Sequence, residues 1–111
     1  MTLSEADLQA SIVAAARELG WLAYATYRST HSEPGFPDLV LVRPPRVIFA
    51  ELKTSTGRLR KGRWNKAGTR FLPGQDTWRD ALLACPGAEW WLVRPEDLEG
   101  FYATLAAKER P

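Results

Sequence analysis

Two carboxylates and an ammonium are notable for where they stand. In GFPDLVLVRPPRVIFAELK, residues 35–53, Asp38 opens one apolar stretch, and Glu51 and Lys53 end the next. If the two stretches are antiparallel strands turning about Pro44-Pro45, Val42 faces Val47, Val40 faces Phe49 and Asp38 faces Glu51. Opposed residues on one face have Cβ atoms roughly 4.5–5.5 Å apart, and like charges there repel. A divalent cation would offset that repulsion, and an all-oxygen donor set suits Mg2+ or Mn2+ better than Zn2+. Lys53 lies two residues beyond Glu51 and so returns to the same face. The plainer alternative is a set of strand-end charges in water, with Lys53 neutralising the pair.

Two more polar residues fall on helix faces that the apolar period assigns to the interior. Glu5 lies three residues before Leu8 and seven before Ile12, and Gln75 lies three before Trp78 and seven before Leu82. Each also has an ordinary explanation. Glu5 would interact favourably with a helix N-terminal dipole, and Gln75 could cap backbone groups at a helix start.

The elements that must position these residues are legible in outline. A chain of 111 residues is one domain, large enough for a single core. Apolar runs are broken well before the length a membrane span needs, and MTLSEADLQ has no basic stretch leading into an apolar one. The single cysteine, Cys85, belongs to no metal-ligand spacing and has no disulfide partner in the chain, which makes a reducing cytoplasm the expected setting. Ser4 to Leu19 reads as a helix capped by Ser4 with Asp7, stopped by Gly20, and buried along Leu8, Ile12, Ala15 and Leu19. Strands are expected over Trp21 to Arg28, Phe36 to Val42, Val47 to Lys53 and Glu89 to Val93. The prolines cannot supply the positive φ of a two-residue hairpin, so a four-residue loop, Arg43 to Arg46, is expected. A second helix begins at Pro73 and buries Trp78, Leu82 and Leu83. A third spans Pro95 to Lys108, with Leu98, Phe101, Tyr102 and Leu105 inward. The fold class is α/β, a mixed four-stranded sheet flanked by helices in the order αβββαβα.

Between Lys53 and Arg70 there are seven basic residues and no acid, whereas the remainder of the chain sets eight basic residues against thirteen acidic ones. An acidic body with one cationic segment suits a polyanion such as nucleic acid. The segment from Thr54 to Phe71 has little apolar periodicity and is expected to be a flexible loop. Arg58, Arg60, Lys61, Arg63, Lys66 and Arg70 would track phosphates, and Trp64 could stack on an exposed base. A solvated loop with no partner is the alternative. His31, in a polar loop, is not assigned a role.

SEADLQ on a first helix, GFPD, ELK about a dozen residues on, and PGQDTW opening a second helix together resemble the VRR-NUC branch of the PD-(D/E)XK nucleases. The resemblance runs from about residue 4 to residue 94 and implies a restriction-endonuclease-like core. It also implies metal-binding roles for Glu5, Asp38, Glu51 and the Leu52 carbonyl, with Lys53 as catalytic lysine and Gln75 as the glutamine beyond it. The activity it implies is Mg2+-dependent, structure-selective DNA endonuclease action, with Mn2+ able to substitute. The substrate would be Holliday junctions or other branched DNA in phage-type recombination or repair, cut by a homodimer in a bacterial or phage-infected host cytoplasm, with no membrane involved. The segment after ELK is longer and more basic than a minimal member needs. Alternatives are a general nicking or end-processing nuclease and a non-catalytic DNA-binding module with the same fold.

Overall fold

Ser4 starts the first helix, its Oγ accepting the Asp7 amide proton at 3.0 Å. The computed structural model describes residues 3–26 and 32–111, and in it α1 runs over Glu5–Glu18. Leu8, Ile12 and Ala16 are fully buried. Ala15 is half-buried, and Leu19, 37% exposed, lies outside the expected stripe. The reason is the helix end. Gly20 takes φ +89°, its N–H bonds the Arg17 carbonyl, and the Trp21 N–H bonds the Ala16 carbonyl at 2.9 Å. This left-handed glycine stop swings Trp21 inward in place of Leu19. Trp21 is 2% exposed and its indole N–H donates to the Leu105 carbonyl at 2.9 Å.

Strand β1, Leu22–Ala25, is shorter than expected, and Tyr27, Arg28 and His31 lie outside the described residues. Strands β2, Leu39–Arg43, and β3, Arg46–Leu52, form the hairpin in the expected register, Val40 opposite Phe49 and Val42 opposite Val47. Its connection is two residues rather than four. Pro44 and Pro45 are joined by a cis peptide bond, which reverses the chain with no positive φ, the requirement on which the longer loop was argued.

The segment expected to be a loop contains some regular structure. It holds a second hairpin, β4, Arg63–Trp64, paired with β5, Phe71–Leu72. Asn65 fastens its turn, the main-chain N–H donating to the Arg70 carbonyl at 2.9 Å and Oδ1 accepting from the Thr69 amide at 3.0 Å. Short hydrogen-bonded turns of this kind leave no apolar period to read. The helix α2, Gln75–Leu83, follows, then β6, Glu89–Val93, as expected. A single turn of 3-10 helix, Pro95–Asp97, precedes α3, Leu98–Ala106. Leu83 is 59% exposed rather than buried, because it falls in the last turn of α2 beyond the edge of the sheet contact.

The sheet order is β1-β2-β3-β6, antiparallel except for the parallel β3–β6 pair. The fold is therefore mixed α/β with a four-stranded mixed sheet and three α-helices among the described residues. One sheet face, with Leu39, Leu41, Ile48, Ala50, Leu52 and Val93, is buried in the same core as α1 and α3. On the other face Phe36 meets Phe49 edge-on at 6.2 Å and Trp78 at 4.9 Å, joining α2 to the sheet.

At the far end from Glu51, Arg46 and Glu89 form a buried two-pronged ion pair of 2.7 and 2.9 Å. Arg46 also donates to the Thr104 and Ala107 carbonyls and lies 5.2 Å from the Trp21 ring centre. Burial raises the Glu89 pKa, but the hydrogen bonds from Arg46 and Trp91 and the charges of Arg46 and Arg110 together outweigh it and leave the carboxyl below its usual value. Among the described residues no helix is long and apolar enough to cross a membrane.

Candidate functional site

Asp38 precedes β2 by one residue, and its segment is held by Thr26. The Thr26 hydroxyl donates to the Pro37 carbonyl at 3.1 Å and the Thr26 amide to the Asp38 carbonyl at 2.9 Å. Asp38 Oδ2 accepts the Leu52 amide proton at 2.8 Å, which ties the acid to the end of β3. Glu51, opposite Asp38 in the hairpin register, is 2% exposed. Its Oε2 accepts a 2.8 Å hydrogen bond from Gln75 Nε2. The two carboxylates are thus each oriented by one protein donor, at the end of the sheet.

Burial, followed by the charge of Asp38 and a hydrogen bond to its carboxylate, pushes the Glu51 carboxyl up to about 9, with Glu5 adding to the shift and Lys53 opposing it. Without a cation, then, Glu51 holds a proton at neutral pH, chiefly because it is buried and secondly because Asp38 lies beside it.

Lys53 is half-buried and close enough for its charge to favour ionised Glu51. Its stem passes Gly57, where a Cβ would come within 3.3 Å of Lys53 Cδ. The turn from Thr54 to Gly57 is clamped by Arg94, whose Nη1 donates to the Thr54 and Gly57 carbonyls at 2.6 and 2.7 Å. Neither Arg94 nor Gly57 was singled out from the sequence, where an arginine before Pro95 carries no signal. Glu5 is exposed at the first position of α1 rather than buried, and its charge still acts on Glu51. It lines the cleft beside the acids.

Gln75 is the junction of the site. While Nε2 holds Glu51, its Oε1 accepts the Arg60 amide proton at 2.8 Å. The Asp76 amide donates to the Arg60 carbonyl, and Asp76 Oδ1 accepts from Gly62, so the chain from Arg60 to Gly62 lies against the start of α2. Gly74 permits that approach: a Cβ there would lie 2.3 Å from Lys61 C and Gly62 N. Gly35, with φ +81°, packs on Gly74 from the other side.

These segments enclose an open cleft of about 630 Å³ whose lining carries Glu5 and Asp38 together with Arg60, Lys61 and Arg63, while Glu51 lies buried behind it. Arg58, Lys66 and Arg70 are exposed but do not line it, and Trp64 is 62% exposed. Among the described residues no three His, Cys, Asp or Glu side chains are gathered closely enough to hold a metal ion. The donors present are therefore two carboxylates, Asp38 and Glu51, with Glu5 nearby and the end of β3 at Leu52. That set fits Mg2+, which binds through one or two carboxylates and keeps its waters, better than an ion needing a full protein cage. Comparisons with protein-family models, with curated proteins and with solved structures return no match.

Proposed function

We propose that this protein is a Mg2+-dependent DNA endonuclease of the VRR-NUC type, acting on branched or otherwise structured DNA. The observation that carries the reading is the pairing of opposites at one cleft: its lining holds Glu5 and Asp38 together with Arg60, Lys61 and Arg63, and Gln75, also in the lining, hydrogen-bonds the buried Glu51 behind it. A phosphodiester needs both. The cations hold the backbone, and the acid pair supports what neutralises charge at the scissile phosphate.

Asp38 and Glu51 would hold the ion, with Glu5 and the Leu52 carbonyl as further oxygens. Bound there, Mg2+ supplies Lewis-acid stabilisation of the developing negative charge. Lys53 contributes a mobile ammonium that hydrogen-bonds a phosphate oxygen as a point charge. Gln75 keeps Glu51 in place and sets the distance between the acids and the basic segment. Mn2+ would substitute, since it accepts the same oxygen donors. A homodimer offers one such site per strand of a branched substrate, and an exposed free Cys85 suits a reducing cytoplasm.

A second reading is favoured by one observation. With Glu51 protonated and held by Gln75, and Asp38 held by the Leu52 amide, the acids are satisfied without a cation, as they would be in a DNA-binding module that cuts nothing. Incubation with linear, flap, fork and four-way DNA in Mg2+, in Mn2+ and in chelator separates the readings. The nuclease reading expects metal-dependent cleavage that Lys53→Ala abolishes while binding survives. Binding without cleavage in any metal selects the module.

A further inference from the structure

The β4–β5 hairpin is apolar where a surface hairpin should be polar. Trp64 and Phe71, opposed in one of its two ladder pairs, meet edge to face at 5.7 Å and remain 62% and 42% exposed. Phe71 is braced beneath, where a Cβ on Gly62 would come within 2.4 Å of its Cζ. Trp64 has no comparable cover. The aromatic pair is flanked by Arg63, Lys66 and Arg70, all exposed, with no acid between Lys53 and Arg70. The hairpin is also registered to the acid pair, since Arg60, three residues before β4, is hydrogen-bonded to the same Gln75 amide that holds Glu51.

We infer that Trp64 is a stacking platform for an unpaired DNA base, so that the hairpin selects single-stranded or branch-point nucleotides next to the cleft. Charge complementarity points to this occupant. An exposed indole in a segment that carries cations and no acid fits a polyanion that also presents π-faces, and only unpaired bases present theirs. In paired DNA the faces are occupied by neighbours in the stack, and the same hairpin then finds only phosphates. The inference rests on the reading of the cleft as a DNA site and goes further by naming the substrate feature. It assigns Trp64 to binding, and the acid pair to chemistry.

The test is equilibrium binding in chelator, where no cleavage occurs, of wild type, Trp64→Ala, Trp64→Leu and Trp64→Phe to a fluorescent single-stranded oligonucleotide and to its duplex. Trp64→Ala and Trp64→Leu should each weaken single-strand binding about tenfold, within the range for loss of one stacked base, and change duplex binding by about twofold or less. Trp64→Phe, which keeps a π-face, should retain most of the single-strand affinity. The slope of log K against log salt should be the same in all four, because no phosphate contact is removed. Circular dichroism checks that each variant is folded. Equal losses on single strand and duplex, or a Trp64→Leu variant as tight as wild type, would overturn the inference. Cleavage assays are separate: a protein that binds single strands through Trp64 but cuts nothing would refute the nuclease reading and leave this one standing.

Discussion

Gln75 and Glu51 share a buried hydrogen bond of 2.8 Å, and the same side chain accepts from the Arg60 main chain at the same distance. One amide therefore satisfies a buried carboxyl and a backbone N–H that belong to different parts of the fold. Gln75→Ala should destabilise the protein by about 1–3 kcal/mol, the cost of leaving buried polar groups unpaired. Urea denaturation measures it. A Gln75→Ala variant as stable as wild type would mean that Gln75 does not tie the hairpin to the sheet.

The raised pKa of Glu51 makes stability depend on pH with a definite sign. In chelator, the folded protein keeps a proton on Glu51 that the unfolded chain releases above about 4.5. The stabilisation is complete below that pH and is lost as pH rises toward about 9. Glu51→Gln should remove this slope and melt higher than wild type near the upper end of the window. Mg2+ should raise the melting temperature of the wild type increasingly as pH rises, because the ion competes with the proton. A melting temperature independent of pH across that window would contradict the forced pairing of the two acids.

The Arg46–Glu89 pair lies far from the cleft and is structural. Glu89→Ala leaves a buried guanidinium uncompensated and should cost about 3–5 kcal/mol, whereas replacing both residues together by apolar side chains should recover much of the loss. Denaturant titration of single and double variants gives the comparison. A single variant with unchanged stability would show that the Thr104 and Ala107 carbonyls suffice for Arg46.

Neutralising Arg58, Arg60, Lys61 and Arg63 together should weaken binding to every DNA sequence alike. Up to four lost phosphate contacts would reduce the slope of log K against log salt by as much as about 3.6, at roughly 0.9 per contact. All four side chains are exposed, so circular dichroism should find the variant folded. An unchanged slope would place the DNA path elsewhere.

The elements that could be read in advance were those whose geometry follows from period. The β2–β3 register came from alternation about the two prolines, and β6 from an apolar run bounded by turns, and both match the ladder. The acid pair was visible for the same reason, since register alone sets Asp38 against Glu51. The short ladder within the basic segment was not legible, because what holds it is side chains bonding to main chain. Asn65 fastens the turn, Gln75 and Asp76 fasten the Arg60 to Gly62 stretch, and no sequence period encodes such pairings. Arg94 was missed likewise: it acts on two carbonyls far away in sequence. Glu5 was placed on the buried stripe of α1, but a helix period cannot say that its first position stays exposed.

The parallel joining of β6 to β3 has a consequence for what each part of the site depends on. The β2–β3 pairing is local and by itself sets Asp38 against Glu51. The β3–β6 ladder joins strands separated in sequence by the second hairpin and α2. The Lys53 amide bonds the Val93 carbonyl, and Arg94, the next residue, clamps the Thr54 to Gly57 turn. A chain with its meander formed and β6 undocked therefore holds two acids without a positioned lysine. The acids are set by a local pairing, and the lysine by a long-range one.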